Sequence, residues 1–206
     1  NDRTIDVVMP THPDADHVGG LIDVLDRYQI SYVIQSSVQG DTDLWRTLED
    51  AIEREGSVNS VAVRGQIIDI GGSAYLQILF PDRDVSGLET NTGSVVVKLV
   101  YGNTSFMLTG DSPIAIEKYL VSLDGEKLKS EVLKAGHHGS KTSSSAEFLR
   151  DVNPDYGVFS RGCDNTYGHP HKEVVDLFTR LNIKTFDTCA DGRVTFVSDG
   201  TTVEKR

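Results

Sequence analysis

The segment "MPTHPDADHVGG" gathers two imidazoles and two carboxylates, His12, Asp14, Asp16 and His17, directly after a short apolar run. Side chains of these types on one strand-to-helix turn can converge on a point, as metal ligands must, and the glycines behind them let the backbone pass close by. Any one of the four alone has an ordinary explanation: Asp14 or Asp16 caps the following helix, and the histidines face water. All four together, as H-x-D-x-D-H, point to ligation.

Three later segments carry groups of the same kind. "SFMLTGD" ends in Asp111, "SEVLKAGHHGS" carries His137 and His138, and "NTYGHPH" places Asn165, Tyr167, His169 and His171 in a loop before a helix opened by Pro170. Asp111 alone could be the N-terminal carboxylate of the helix "SPIAIEKYL", but adjacent histidines before Gly-Ser have no role in a turn. Strands that end in ligand-type residues predict one shared rim.

The elements that must deliver these residues are short. Apolar, β-branched clusters bounded by Gly, Asn, Asp or Pro predict strands at "IDVVM", "SYVI", "VNSVAV", "AYLQILF", "SVVVKLVY", "SFMLTG", "EVLKAG", "YGVFS", "IKTF" and "RVTFV". Helical periodicity runs over 16–28, 42–55, 113–122, 145–152 and 170–181. Consecutive strands from about Val58 to Leu108, with turns at Gly71-Gly72 and Tyr101 to Asn103, precede a half in which strand and helix alternate. That order predicts an α/β sandwich of mixed sheets with outer helices, not a doubly wound parallel sheet.

With 206 residues, one large domain is expected. A content of 38% hydrophobic and 25% charged residues, with no long apolar window, is that of a soluble chain and excludes a membrane span within it. The formal charge of −11 argues against polyanion binding through a broad basic surface, although bound divalent ions would supply a local cationic feature. The opening "NDRTIDVV" lies inside a strand-like pattern without an initiating methionine, so a piece of a longer protein is expected. Cys163 and Cys189 match no zinc pattern. They are either unrelated thiols or a bridge, since each follows a predicted strand and a parallel βαβ unit puts both strand ends on one edge.

Taken in order, "THPDADHVGG", "NTGSVVV", "MLTGD", "LKAGHHGSKTSSS" and "YGHP" resemble the metallo-β-lactamase fold, and within it the C-terminal domain of the ComEC-type competence proteins, a DNA-uptake channel family. The resemblance covers nearly the whole chain. It implies that 1–206 form one metallo-β-lactamase-like domain, a four-layer αβ/βα sandwich lacking its N-terminal strands, with an edge left open to pairing. It also implies two divalent ions, manganese or zinc: His12 and Asp14 on the first, Asp16, His17 and His137 on the second, and Asp111 bridging. The chain departs from the superfamily pattern H-x-H-x-D-H at Asp14, and offers Asn91 where a further histidine is usual. Both changes make the first position richer in oxygen and favour manganese at least as much as zinc.

Such a centre needs no side-chain nucleophile, because two ions about 3.5–4 Å apart activate a water and neutralise transition-state charge. His138 or His169 would protonate the leaving alkoxide, and Ser140 and Asn165 would hydrogen-bond a phosphate oxygen. The resemblance implies a phosphodiesterase that degrades single-stranded DNA during uptake. It would be joined to a membrane channel part of the same parent on the outer face of the inner membrane, without lipid binding of its own. Two alternatives stand beside it: a phosphodiesterase on a non-nucleic substrate such as a cell-wall phosphocholine ester, and a non-catalytic metal-binding or assembly module.

Overall fold

The computed structural model describes residues 3–206, so the strand-like start expected at Asn1 and Asp2 lies outside the described residues. The chain divides into two compact units, one running to Arg64 and including Phe80–Val95, the other comprising Gly65–Leu79 and Val96–Arg206.

In the first unit, strands β1 (Thr4–Val8), β2 (Gln29–Gln35) and β3 (Val58–Val61) alternate with helices α1 (Ala15–Arg27) and α2 (Asp43–Glu55). The strands form a parallel sheet in the order β1-β2-β3. Right-handed crossovers between parallel strands put both helices on one face. There Val18 and Leu25 of α1 and Trp45, Leu48, Ala51 and Ile52 of α2 bury themselves with Val8, Ile30 and Val33. Helix α2 starts where the Thr42 hydroxyl accepts the Trp45 N–H and stops at Gly56, whose φ is 79°.

The second unit holds β4 (Ile67–Gly71), β5 (Ala74–Phe80), β6 (Val96–Tyr101), β7 (Thr104–Leu108), β8 (Val132–Lys134), β9 (Tyr156–Phe159) and β10 (Lys184–Asp187) in one sheet, ordered β10-β9-β8-β7-β6-β5-β4. The hairpins β4-β5 and β6-β7 are antiparallel, and β7, β8, β9 and β10 run parallel. Helices α3 (Ile114–Asp124), α4 (Ala146–Val152) and α5 (Lys172–Arg180) connect the parallel strands. Gly157 lets α5 lie close to β9, since a Cβ there would meet the Phe178 ring at 2.4 Å. A short helix α6 (Thr188–Asp191) and the hairpin β11 (Phe196–Ser198) and β12 (Val203–Lys205) complete the unit.

Mixed sheets with helices are the fold class expected from the sequence. Helix α5 begins at Lys172 with His171 in the N-cap position, two residues beyond the expected start at Pro170.

Candidate metal-binding residues

The turn between β1 and α1 carries the first donor set. Asp14 occupies the N-cap position of α1, yet its carboxylate makes no capping bond. Only its carbonyl is used, accepting the N–H groups of His17 and Val18. The simple capping explanation therefore fails for this side chain, whose Oδ2 lies 3.7 Å from Nε2 of His12. Asp16 Oδ2 lies 3.9 Å from Nε2 of His17. The Thr11 hydroxyl stands 3.0 Å from Nδ1 of His12 and 3.4 Å from Nδ1 of His17, bracing both rings from the same side. Both Nε2 atoms consequently face the carboxylates. His12 is only 1% exposed, so its ring is desolvated and needs polar partners within the protein. Asn91 opens the 3₁₀ turn Asn91–Gly93, and its buried Oδ1 accepts no hydrogen bond among the described residues.

The second donor set arises because β7, β8 and β9 are parallel neighbours, so their C-terminal ends share one edge of the sheet. Asp111 follows β7 and is 3% exposed. Its Oδ2 lies 3.6 Å from Nε2 of His137 and 3.3 Å from Nε2 of His138, and its Oδ1 lies 3.8 Å from Nζ of Lys134. Pro113, not Asp111, takes the N-cap position of α3, so the helix-terminal explanation for Asp111 does not hold either.

His137 and His138 both adopt left-handed backbone angles, φ 48° and 56°. Each such residue costs about 1–3 kcal/mol, and the surrounding loop must compensate. His137 N–H donates to the Gly110 carbonyl, and the Ser140 N–H returns to the His137 carbonyl. Gly139, at φ 87°, is required because a Cβ there would meet Pro170 at 2.6 Å and Phe159 at 2.8 Å. The loop is then tied to the residues after Asp111: Ile114 N–H donates to the Thr142 carbonyl, and the Ser143 hydroxyl donates to the Ser112 carbonyl at 2.8 Å. The Thr142 hydroxyl lies 3.2 Å from Nδ1 of His137. Glu117, buried in α3, accepts the N–H groups of Ser144 and Ser145 at 2.6 and 2.7 Å.

A third segment, the loop after β9, brings His169 to this edge, with its ring 5.4 Å from that of His137 and 6.3 Å from that of His138. Nδ1 of His138 is 2.6 Å from the Ser160 carbonyl, which makes it the protonated ring nitrogen and fixes the ring. Hydrogen bonding to Asp111 raises the His138 pKa against the opposing effect of burial. Burial lowers that of His169, helped by the neighbouring imidazoles. The loop is anchored by the Cys163–Cys189 disulfide, with Cα atoms 4.9 Å apart, and by a two-nitrogen ion pair from Arg161 to Asp187. The bridge, one of two options open in the sequence, is formed.

Ser140 and Asn165 both make hydrogen bonds within their loops. The Ser140 hydroxyl is engaged with Thr142, and the Asn165 amide closes its own loop onto Gly162 and His169. Thr11, Thr142, Glu117 and Lys134 were not singled out by the sequence reading. Thr11 adjoins the motif, which was a usable signal; the other three are common residue types whose importance appears only when the loops close.

Imidazole nitrogen and carboxylate oxygen are donor types that suit a divalent cation. Nitrogen and carboxylate oxygen atoms stand 3.3–3.9 Å apart. Ligands about 2.0–2.2 Å from one ion come to lie at roughly this separation. Imidazole orientation by threonine hydroxyls is the outer support that ligating histidines require.

Residues 1–162 match the family model of the metallo-beta-lactamase superfamily. The chain is 29% identical over 195 residues to ComE operon protein 3 of Bacillus subtilis, covering 94% of this chain and 25% of that protein. It is 39% identical over 109 residues to competence protein ComA of Neisseria gonorrhoeae, covering 53% of this chain and 16% of that one. It thus spans a quarter or less of the length of these relatives. Among solved structures, the metallo-beta-lactamase fold protein YhfI from Bacillus subtilis aligns with a TM-score of 0.55 at 10% identity, over 98% of this chain and 78% of that one, a likeness of fold.

Proposed function

The chain belongs to the metallo-β-lactamase superfamily, whose members are generally metal-dependent hydrolases, and from that premise we propose that it is a metal-dependent phosphodiesterase cleaving single-stranded DNA. The observation that carries the hydrolytic reading is the buried Asp111 carboxylate, faced by Nε2 of both His137 and His138 at the ends of parallel strands. The DNA assignment is supported by similarity to a part of competence proteins. Degradation of one strand during uptake, alongside a membrane channel in the same parent protein, is the corresponding biological role.

The ligands we assign are His12, Asp14, Asp16 and His17 on the turn before α1, together with Asp111 and His137 at the strand ends of the other unit. Two divalent ions bound there would supply Lewis acidity and charge neutralisation for attack on phosphorus. Manganese is expected to serve at least as well as zinc, because Asp14 offers oxygen where the superfamily pattern has nitrogen. The protein's own contribution is orientation. Thr11 and Thr142 hold ring nitrogens so that Nε2 atoms point to the carboxylates. We assign proton transfer to the leaving alkoxide to His138, whose Nδ1 is held by the Ser160 carbonyl, and to His169 beside it.

The disulfide supports an oxidising, extracytoplasmic compartment. No helix among the described residues is long and apolar enough to cross a membrane. A substrate panel with and without chelator tests the reading: metal-dependent cleavage of labelled single-stranded DNA supports it. Turnover of phosphocholine esters alone, or of no ester in protein shown to bind metal, rejects it.

A further inference from the structure

The loop between β9 and α5 ends in a feature that the hydrolytic site does not use. Tyr167 is 77% exposed, more than any other large apolar side chain among the described residues, so its ring adds nothing to the core. It is nevertheless not randomly placed. Its ring stacks on His169 at 5.7 Å with planes 22° apart, and His169 stacks in turn on His138 at 6.3 Å and 21°. Three near-parallel rings therefore lead from the Asp111 carboxylate to the surface.

The loop is built to keep this order. Gly168, between the two stacked rings, has φ 75°, where a side chain would be strained. Asn165 accepts the His169 N–H and donates to the His169 and Gly162 carbonyls. The Cys163–Cys189 bridge and the Arg161–Asp187 pair hold the base of the loop. A rigid, exposed aromatic ring is a preorganised binding surface, with little entropy left to lose when a ligand covers it.

Resting on the DNA-cleaving reading, we propose that Tyr167 is a stacking platform for one unpaired nucleobase, which sets the adjoining phosphodiester beside His138 and His169. Every base offers a π face, so the contact tolerates any sequence. In a duplex those faces are already stacked on neighbouring pairs, so the platform selects single strands. The chain's net charge of −11 gives this contact particular weight, since broad electrostatic attraction to the phosphate backbone is not available.

The test compares a single-stranded oligodeoxynucleotide with one of equal length in which every base is replaced by a tetrahydrofuran abasic residue. Binding by the D111N protein and manganese-dependent cleavage by the wild type are measured for both. The wild-type ring should bind the base-bearing strand roughly 5- to 100-fold more tightly than the abasic one. Y167A should erase that preference and raise KM more than it lowers kcat, and Y167F should restore both. Circular dichroism and a melt confirm that the variants fold. Cleavage with equal affinity for the two strands, or a preference that survives in Y167A, overturns the platform and leaves the DNA reading intact. Failure to bind or cleave either strand overturns the DNA reading itself, and the platform with it.

Discussion

The Thr142 hydroxyl lies 3.2 Å from Nδ1 of His137, while the Thr142 carbonyl accepts the N–H of Ile114, three residues beyond Asp111. One residue thus orients an imidazole and ties it to the start of α3, just beyond the facing carboxylate. Replacing Thr142 by valine keeps the shape and removes the hydroxyl. Affinity for manganese, measured by electron paramagnetic resonance titration, should fall about 10- to 100-fold, the usual effect of removing such a support. Serine at the same position should recover most of it.

Glu117 supplies a different kind of support, since its two oxygens take the backbone donors of Ser144 and Ser145. Alanine there should cost about 1–3 kcal/mol for each stranded donor, read by urea unfolding. Burial pushes the Glu117 carboxyl above its ordinary value, against the hydrogen bonds from Ser145 and Ser144. The folded state then holds the proton more firmly than the unfolded chain. Stability from this group is full below the ordinary glutamate value and is lost as pH rises through the raised one. The stability difference between wild type and E117Q should show that decline, and E117Q alone should not.

These two residues mark the boundary of what could be read from the sequence. His12, Asp16, His17, Asp111 and His137 announced themselves because imidazoles and carboxylates at strand ends are expensive to place without a use. Thr42 and Ser145 cap their helices by local chemistry, hydroxyl to backbone N–H. Glu117 and Thr142 were not legible, because their partners lie across loops that only the tertiary fold closes. Asn165 differs, since its amide bonds to Gly162 and His169 within its own loop. The strand β12 passed unnoticed because "VEK" is three residues long and charged, and only its pairing with β11 makes it a strand.

The Cys163–Cys189 bridge spans 26 residues and anchors the loop that carries His169. Replacing both cysteines by serine should lower stability by about 3 kcal/mol on the chain-entropy account. Alkylation followed by mass measurement, with and without reductant, should show both thiols protected until reduced. Chemical denaturation of the double variant reads the energetic effect.

Asp14 sits 3.7 Å from Nε2 of His12 with its carboxylate free of capping duty. Substituting histidine restores nitrogen at that place and should move metal preference from manganese toward zinc by on the order of tenfold. Competitive titration of the two ions measures this; an unchanged ratio would show that Asp14 does not ligate.

The most direct measurement of the central claim is incubation of end-labelled single-stranded DNA with the wild-type protein and with D111N, in manganese and in chelator, with folding of both confirmed by circular dichroism. Cleavage by the wild type in manganese, none in chelator and none by D111N is the predicted pattern. Cleavage that survives both chelation and D111N, or no cleavage by wild-type protein that demonstrably binds manganese, would contradict it.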